Sequence, residues 1–202
     1  LGSWLASPAV AAEAERPAPA TIVIAAKAPE VVRWAAQELQ DAVRRISGEQ
    51  FPLATDAEEV AGRRILLGRS ALTDQLGIDF RFEADAFLIR SVGDDIVLMG
   101  NDLDRPPARE DLPFNIYTSR KGTLFAVYEF LERFFGVRWF WPGESGTVIP
   151  PRASVDWPGD LDLNQAPRFA WRHVFLYGTK DLAEPVRGRE IPLWYLRSRL
   201  GV

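Results

Sequence analysis

Apolar residues recur along this chain at two spacings, every second position and every third or fourth, and the switches between them lay out most of its elements. Thr21-Ile22-Val23-Ile24-Ala25 is short, β-branched and bounded by proline and lysine, the pattern of a buried strand. Pro29 suits a first helical turn, and Val32, Ala35, Ala36, Leu39, Val43 and Ile46 then recur at helical spacing until Gly48, which predicts an amphipathic helix. Glu30 near its start and Arg44 and Arg45 near its end follow the order a helix dipole favours. Arg64 to Gly68 reads as a second strand, followed by a short helical or turn segment through Gly77. Ala86 to Val92 and Ile96 to Gly100 then flank Gly93-Asp94-Asp95 as an antiparallel hairpin. Asn101 to Lys121 is polar, contains proline and shows no period, so a loop or insertion is expected there.

The stretch GTLFAVYEFLERFFGVRWFWPGESGTVIP, Gly122 to Pro150, raises a choice between a ligand surface and a core. Leu124, Val127, Tyr128, Leu131, Phe134 and Phe135 share one helical face, Glu129, Glu132 and Arg133 lie off it, and Gly136 ends it. Helical spacing therefore explains these residues as core without a ligand. Val137 to Trp141 is expected as a strand with Trp139 and Trp141 on one side, and Gly146 to Ile149 as another. Arg152 to Gln165 reads as an acidic, proline-broken connector. Pro167 to Tyr177 then looks like a strand and Ile191 to Leu200 like the start of a helix; both lack evident partners in the chain. The expected division is 1–20 as a signal-peptide remnant and spacer, 21–151 as one domain, 152–166 as linker, and 167–202 as the beginning of a second domain.

Composition narrows the function classes. A length of 202 residues suits one ordinary domain with connecting segments, and 47% hydrophobic with 26% charged residues is globular. With 24 Lys and Arg against 28 Asp and Glu, the net charge of -4 leaves no footprint for nucleic acid. No cysteine and a single histidine, His173, exclude thiolate chemistry and a His-rich metal centre within these residues. Leu1 to Ala11, LGSWLASPAVA, has the apolar run and small-x-small end of a secretory signal, which predicts export to the periplasm or outside the cell. No other stretch is long enough for a membrane span.

VRWAAQELQDAVRRISGEQFPL, ILLGRS, AFLIRSVGDDIVLMG and the Gly122 to Pro150 stretch together resemble the N-terminal domain that precedes the catalytic barrel in bacterial alpha-glucuronidases and beta-N-acetylhexosaminidases. The resemblance is strongest to an uncharacterised bacterial family related to them. It implies an α+β fold, a mixed sheet with two amphipathic helices packed on one face, related to zinc proteases but without their metal site; no His-Glu-x-x-His occurs here. It also implies that the chemistry belongs to a downstream barrel, with carboxylates flanking a glycosidic bond. No cofactor or metal is implied, no catalytic residue is expected in this chain, and the partners expected are its own downstream barrel and, through it, a carbohydrate.

One residue here is a candidate for substrate contact. The hexosaminidases enter the first barrel strand through Pro-Arg-Phe-x-Tyr-Arg-Gly, whose second arginine binds sugar hydroxyls. Pro167-Arg168-Phe169-Ala170-Trp171-Arg172-His173 is similar, which makes Arg172 the candidate. His173 replaces the glycine, and Tyr177 stands near where an aspartate is expected. A salt bridge at a domain boundary is the competing role for Arg172. Asp94 and Asp95 read as turn chemistry, Glu144 as exposed after a Pro-Gly turn, Arg120 and Lys121 as solvated, and Thr123 as a helix cap. Two function classes remain: an accessory domain of a carbohydrate-active enzyme, or a non-catalytic carbohydrate- or partner-binding module of an exported protein.

Overall fold

The computed structural model describes residues 20–78, 83, 85–107, 113–156, 159–169, 171–174 and 186–200. The apolar N-terminus read as a signal remnant, and Tyr177, lie outside the described residues.

The segments read as strands become β1 (Thr21–Ile24), β3 (Arg64–Leu67), β4 (Phe87–Val92) and β5 (Asp95–Gly100), and Leu53–Thr55, not expected as a strand, adds β2. With β10 (Asp162–Gln165) they form one mixed sheet in the order β10-β4-β5-β3-β1-β2. β2, β1, β3 and β5 run parallel, and β4 and β10 are antiparallel to their neighbours. Because side chains alternate along a strand, Ile22, Ile24, Ile65, Leu67, Ile96 and Leu98 face one layer while Val23, Leu66, Leu88, Val97 and Met99 face the other.

The larger layer holds α1 (Glu30–Ser47) and α3 (Gly122–Phe135), which pack on each other and on the sheet. Both end at a glycine in the left-handed region, Gly48 and Gly136, where a Cβ would be strained. The opposite face is covered in part by α2 (Ala71–Gln75), through Leu72 and Leu76. The expected α+β class and the two helices on one face are both present.

α3 differs from a simple amphipathic helix: all of 122–131 is buried, including Glu129. The reason lies in the segments expected to be loop, linker and unpartnered tail. Phe114 and Ile116 from the supposed insertion enter the core, and its ends form a small ladder, β6 (Asp102–Leu103) with β7 (Arg120–Lys121). The connector contributes buried Val155 and Leu161 and the edge strand β10. The tail does find partners. In α4 (Ile191–Arg197) Leu196 is buried, Trp194 Nε1 donates to the Trp139 carbonyl at 2.9 Å, and Arg197 pairs with Glu38 at 3.0 Å.

The expected five-residue strand after Gly136 is only β8 (Arg138–Trp139), paired with β9 (Thr147–Val148). Trp139 and Trp141 therefore do not share a face in one strand. Trp139 packs edge-on against Tyr128 at 5.3 Å, under the Arg197 guanidinium, whereas Trp141 is 52% exposed. The aromatic rings of the stretch pack into or against the core through Trp139, and its exposed rings are Phe140 and Trp141.

Candidate functional site

The chemistry-bearing side chains gather where the tail, the start of β4 and the start of α3 meet. Asp85 sits just before β4 at φ 59 and is buried. Its Oδ1 accepts from the Lys121 backbone at 3.2 Å and its Oδ2 from Arg172 Nη2 at 2.6 Å. Arg172 also donates from Nε to the Arg199 carbonyl and from Nη1 to the Phe169 carbonyl. Arg199, at φ 53, is the other non-glycine residue with positive φ among those described, and it reaches Glu132 at 2.5 Å and Glu129 at 3.4 Å. Backbone in this region costs free energy for residues with a Cβ and persists only where surroundings enforce it. Both instances hold Arg172.

A cleft of about 250 Å³ opens here, with Phe87 and Phe125 as apolar wall and Asp85, Arg172 and Arg199 as polar wall. Lys121, expected to be solvated, is fully buried, and its ammonium donates to the Ser119 carbonyl at 2.6 Å. Burial lowers its pKa from the ordinary value, Asp85 opposes that, and Arg172 reinforces it. The side chain of Arg172 is 18% exposed and that of Asp85 5%. The competing role weighed from sequence, a salt bridge where the tail meets the core, is therefore geometrically present. The strand expected from Pro167 is absent over the described residues up to 174, and His173 instead lies 5.5 Å from Tyr195, ring centre to ring centre.

A second concentration of charge lies on β6. Asp104 accepts from the backbone N–H of Glu30 and Val31 at 2.7 and 3.1 Å, so it caps α1, which has no capping side chain of its own. Asp102 accepts from the Thr123 backbone at 2.9 Å and from its hydroxyl, and that hydroxyl accepts from Gly100 N at 3.0 Å. The cap on α3 is thus Asp102 rather than Thr123. Asp102 as a residue is only half-buried, but its carboxylate is enclosed. That desolvation raises its pKa from 3.8 to about 7, against the Thr123 hydrogen bonds and with help from the charges of Asp104 and Asp85.

Other candidates fall elsewhere. Asp95 begins β5 and makes a paired contact with Arg64 at 3.0 and 2.5 Å, so it is more than a turn residue, while Asp94 is exposed. Glu144 is exposed and pairs with Arg45 at 2.7 Å. Among the described residues no group of three or more His, Cys, Asp or Glu is placed to hold a metal ion, and no helix is long and apolar enough to cross a membrane. Glu38 and Arg197, missed from sequence, lie between α1, α3 and α4. Burial opposes protonation of Arg197, but Glu38 and Tyr128 outweigh it and raise its pKa. Glu38 stands beside the apolar stripe, three residues after Ala35 and four before Ala42, and that position was the available signal.

By sequence the chain matches no family model and no curated protein. By fold it is similar to BtGH115A, a family GH115 4-O-methyl-alpha-glucuronidase with specificity for decorated arabinogalactans. The TM-score is 0.63 at 18% identity, over 90% of this chain and 24% of that one. That glycoside hydrolase carries this fold in a part of its chain. GH20 beta-N-acetylhexosaminidase from Streptomyces coelicolor A3(2) and N-acetyl-beta-hexosaminidase from Streptomyces plicatus match at TM-scores of 0.41 and 0.43, with 13% and 14% identity. They are covered over 76% and 77% of this chain and 23% and 25% of theirs. The chain spans about a quarter of the length of each of these three proteins.

Proposed function

We propose that the chain is a non-catalytic N-terminal accessory domain of an exported, carbohydrate-active protein of the glycoside-hydrolase type. In this reading it buttresses a catalytic barrel that follows it. The observation that carries the reading is the fold likeness to the glucuronidase, which takes in 90% of this chain and only 24% of the enzyme. Since one fold hosts many functions, the decision belongs to the whole protein. The sequence resemblance to the uncharacterised bacterial family, and export directed by the Leu1 to Ala11 segment, are parts of the same proposal.

Arg172 is the proposed link to substrate. Its three donors to Asp85, Arg199 and Phe169 fix the guanidinium plane, and an arginine has five N–H groups, so two remain to meet sugar hydroxyls at the cleft. The second reading, a carbohydrate- or partner-binding module, is favoured by the exposed Phe140 and Trp141 and the exposed Phe169 and Trp171, because apolar rings with open faces suit stacking.

The test is hydrolysis of aryl glycosides and plant polysaccharides by the full-length protein beside the 202-residue chain, with the coding sequence beyond Val202 determined. Activity in the long protein only, with a barrel bearing paired carboxylates, is expected. Glycosidase activity in the short chain, or small binding domains downstream, overturns the accessory-domain reading. Cell fractionation checks export.

A further inference from the structure

The parallel part of the sheet has a point where its connections part company. β1 leads into α1 on one face, whereas β3 leads into α2 on the other, and β1 and β3 are hydrogen-bonded neighbours. In open α/β sheets, ligands bind outside the carboxyl ends of the strands at such a divergence. A crevice of about 330 Å³ lies there, beyond the ends of β3 and β5. Val32, Ile78 and Met99 give it an apolar wall, and Arg69, Asn101 and Asp102 a polar one. It is distinct from the Arg172 cleft, which draws on the tail.

The charges around the crevice restrict what it accepts. An anion would seek the backbone N–H groups at the helix starts, but carboxylates of the chain already occupy them. Asp104 holds Glu30 N and Val31 N at 2.7 and 3.1 Å, and Asp56 holds Ala71 N at 2.9 Å together with Ala26 N, in the turn after β1, at 2.9 Å. Those hydrogen bonds keep the Asp56 pKa below its ordinary value, so Asp56 remains charged. The Asp56 and Asp104 carboxylates on these N–H groups also repel a further negative group. A cationic ligand would meet Arg69, whose only described ion pair is the exposed contact with Asp74 at 3.0 Å, loose enough for its other donors to turn inward. A neutral ligand is left. The exposed guanidinium of Arg69 offers donors to hydroxyl groups, while Asn101 and Asp102 shape the polar wall. A volume near the lower end of ligand pockets fits a small molecule.

We infer that this crevice binds a neutral polyhydroxylated molecule of about one sugar ring, through Arg69, with one ligand face against Val32, Ile78 and Met99. Choosing sugars as probes rests on the glycoside-hydrolase reading; the crevice itself does not.

The experiment is calorimetric and ligand-observed NMR titration of the 202-residue chain with methyl glucoside, methyl galactoside and methyl mannoside. Glucuronate and glucosamine serve as the anionic and cationic probes. Saturable binding of at least one methyl glycoside is expected, weakened tenfold or more by Arg69→Ala and by Ile78→Trp, which narrows the crevice. Arg69 is exposed, so Arg69→Ala remains a test if Ile78→Trp disturbs folding. Asp94→Ala, in the exposed turn between β4 and β5 at the opposite end of the sheet, should leave affinity unchanged. No saturable binding of any methyl glycoside, binding indifferent to Arg69→Ala, or tighter binding of either charged probe overturns the inference. None of those results bears on whether the full-length protein hydrolyses glycosides, so the two proposals fail separately.

Discussion

Asp102→Asn should make the protein more stable at alkaline pH, although it removes a carboxylate from a helix N-terminus. In the folded chain the Asp102 pKa stands at about 7 against 3.8 in its ordinary state. Below about pH 4 the group is protonated in both states and contributes no penalty. Between those values the unfolded chain releases the proton and the folded chain keeps it, so stability falls as pH rises, and the full penalty is present above about pH 7. At 1.36 kcal/mol per unit the shift corresponds to a ceiling of about 4 kcal/mol. Asparagine reproduces the protonated acid: its carbonyl can accept from Thr123 N, and its amide can donate to the Thr123 hydroxyl, which has a second lone pair beside the one taken by Gly100 N. Urea unfolding of both proteins from pH 5 to pH 8.5 should show the stability difference growing in favour of the variant, reaching about 2–4 kcal/mol at the alkaline end. Parallel curves, or a variant less stable at pH 8.5, would refute the idea that an uncompensated enclosed carboxylate sits on β6.

Further outcomes follow from packing and pairing. Leu131 is 1% exposed, so Leu131→Ala should cost about 2–5 kcal/mol in denaturant unfolding; a change under about 0.5 kcal/mol would mean an exposed face. Gly122→Ala should destabilise by about 1–3 kcal/mol or more, because the new Cβ would press into the backbone of Asn101, Ala86 and Gly100; a neutral effect on the melting temperature would contradict that close approach. Arg172→Ala should cost about 3 kcal/mol by leaving buried Asp85 unpaired, and Arg172→Lys less. In the full-length protein a sugar contact requires a further fall in kcat/KM per folded molecule, and unchanged kinetics would leave Arg172 a structural ion pair.

Local patterns were readable where one element decides its own form. β1, α1, β3, the β4–β5 hairpin and α3 follow from spacing and from Gly48 and Gly136, because strand alternation and helical stripes are written in adjacent residues. Long-range pairing was not readable. Asp162 to Gln165 has no apolar alternation, and it is a strand only because the outer edge of β4 accepts it. Lys121 looks solvated beside Arg120, and its burial follows from Asp85 and Arg172, which come from distant parts of the chain. Resemblance singled out Arg172; its partner Asp85 lies in an irregular stretch that carries no pattern of its own. Asp102 and Asp104 flank Leu103 just after β5, and this alternation marks a strand but cannot reveal that the two carboxylates cap different helices.

The order of the sheet has a consequence for how the chain is made. β4 and β5 can pair as soon as their hairpin leaves the ribosome, whereas β10, which covers the other edge of β4, is synthesised some seventy residues later. Throughout that interval Phe87 to Arg90 present an open row of backbone donors and acceptors along an apolar strand, the kind of edge on which neighbouring chains assemble. Slowing translation across 101–161 would therefore lower the yield of native protein, and supplying the 162–165 segment in trans as a peptide would recover part of it.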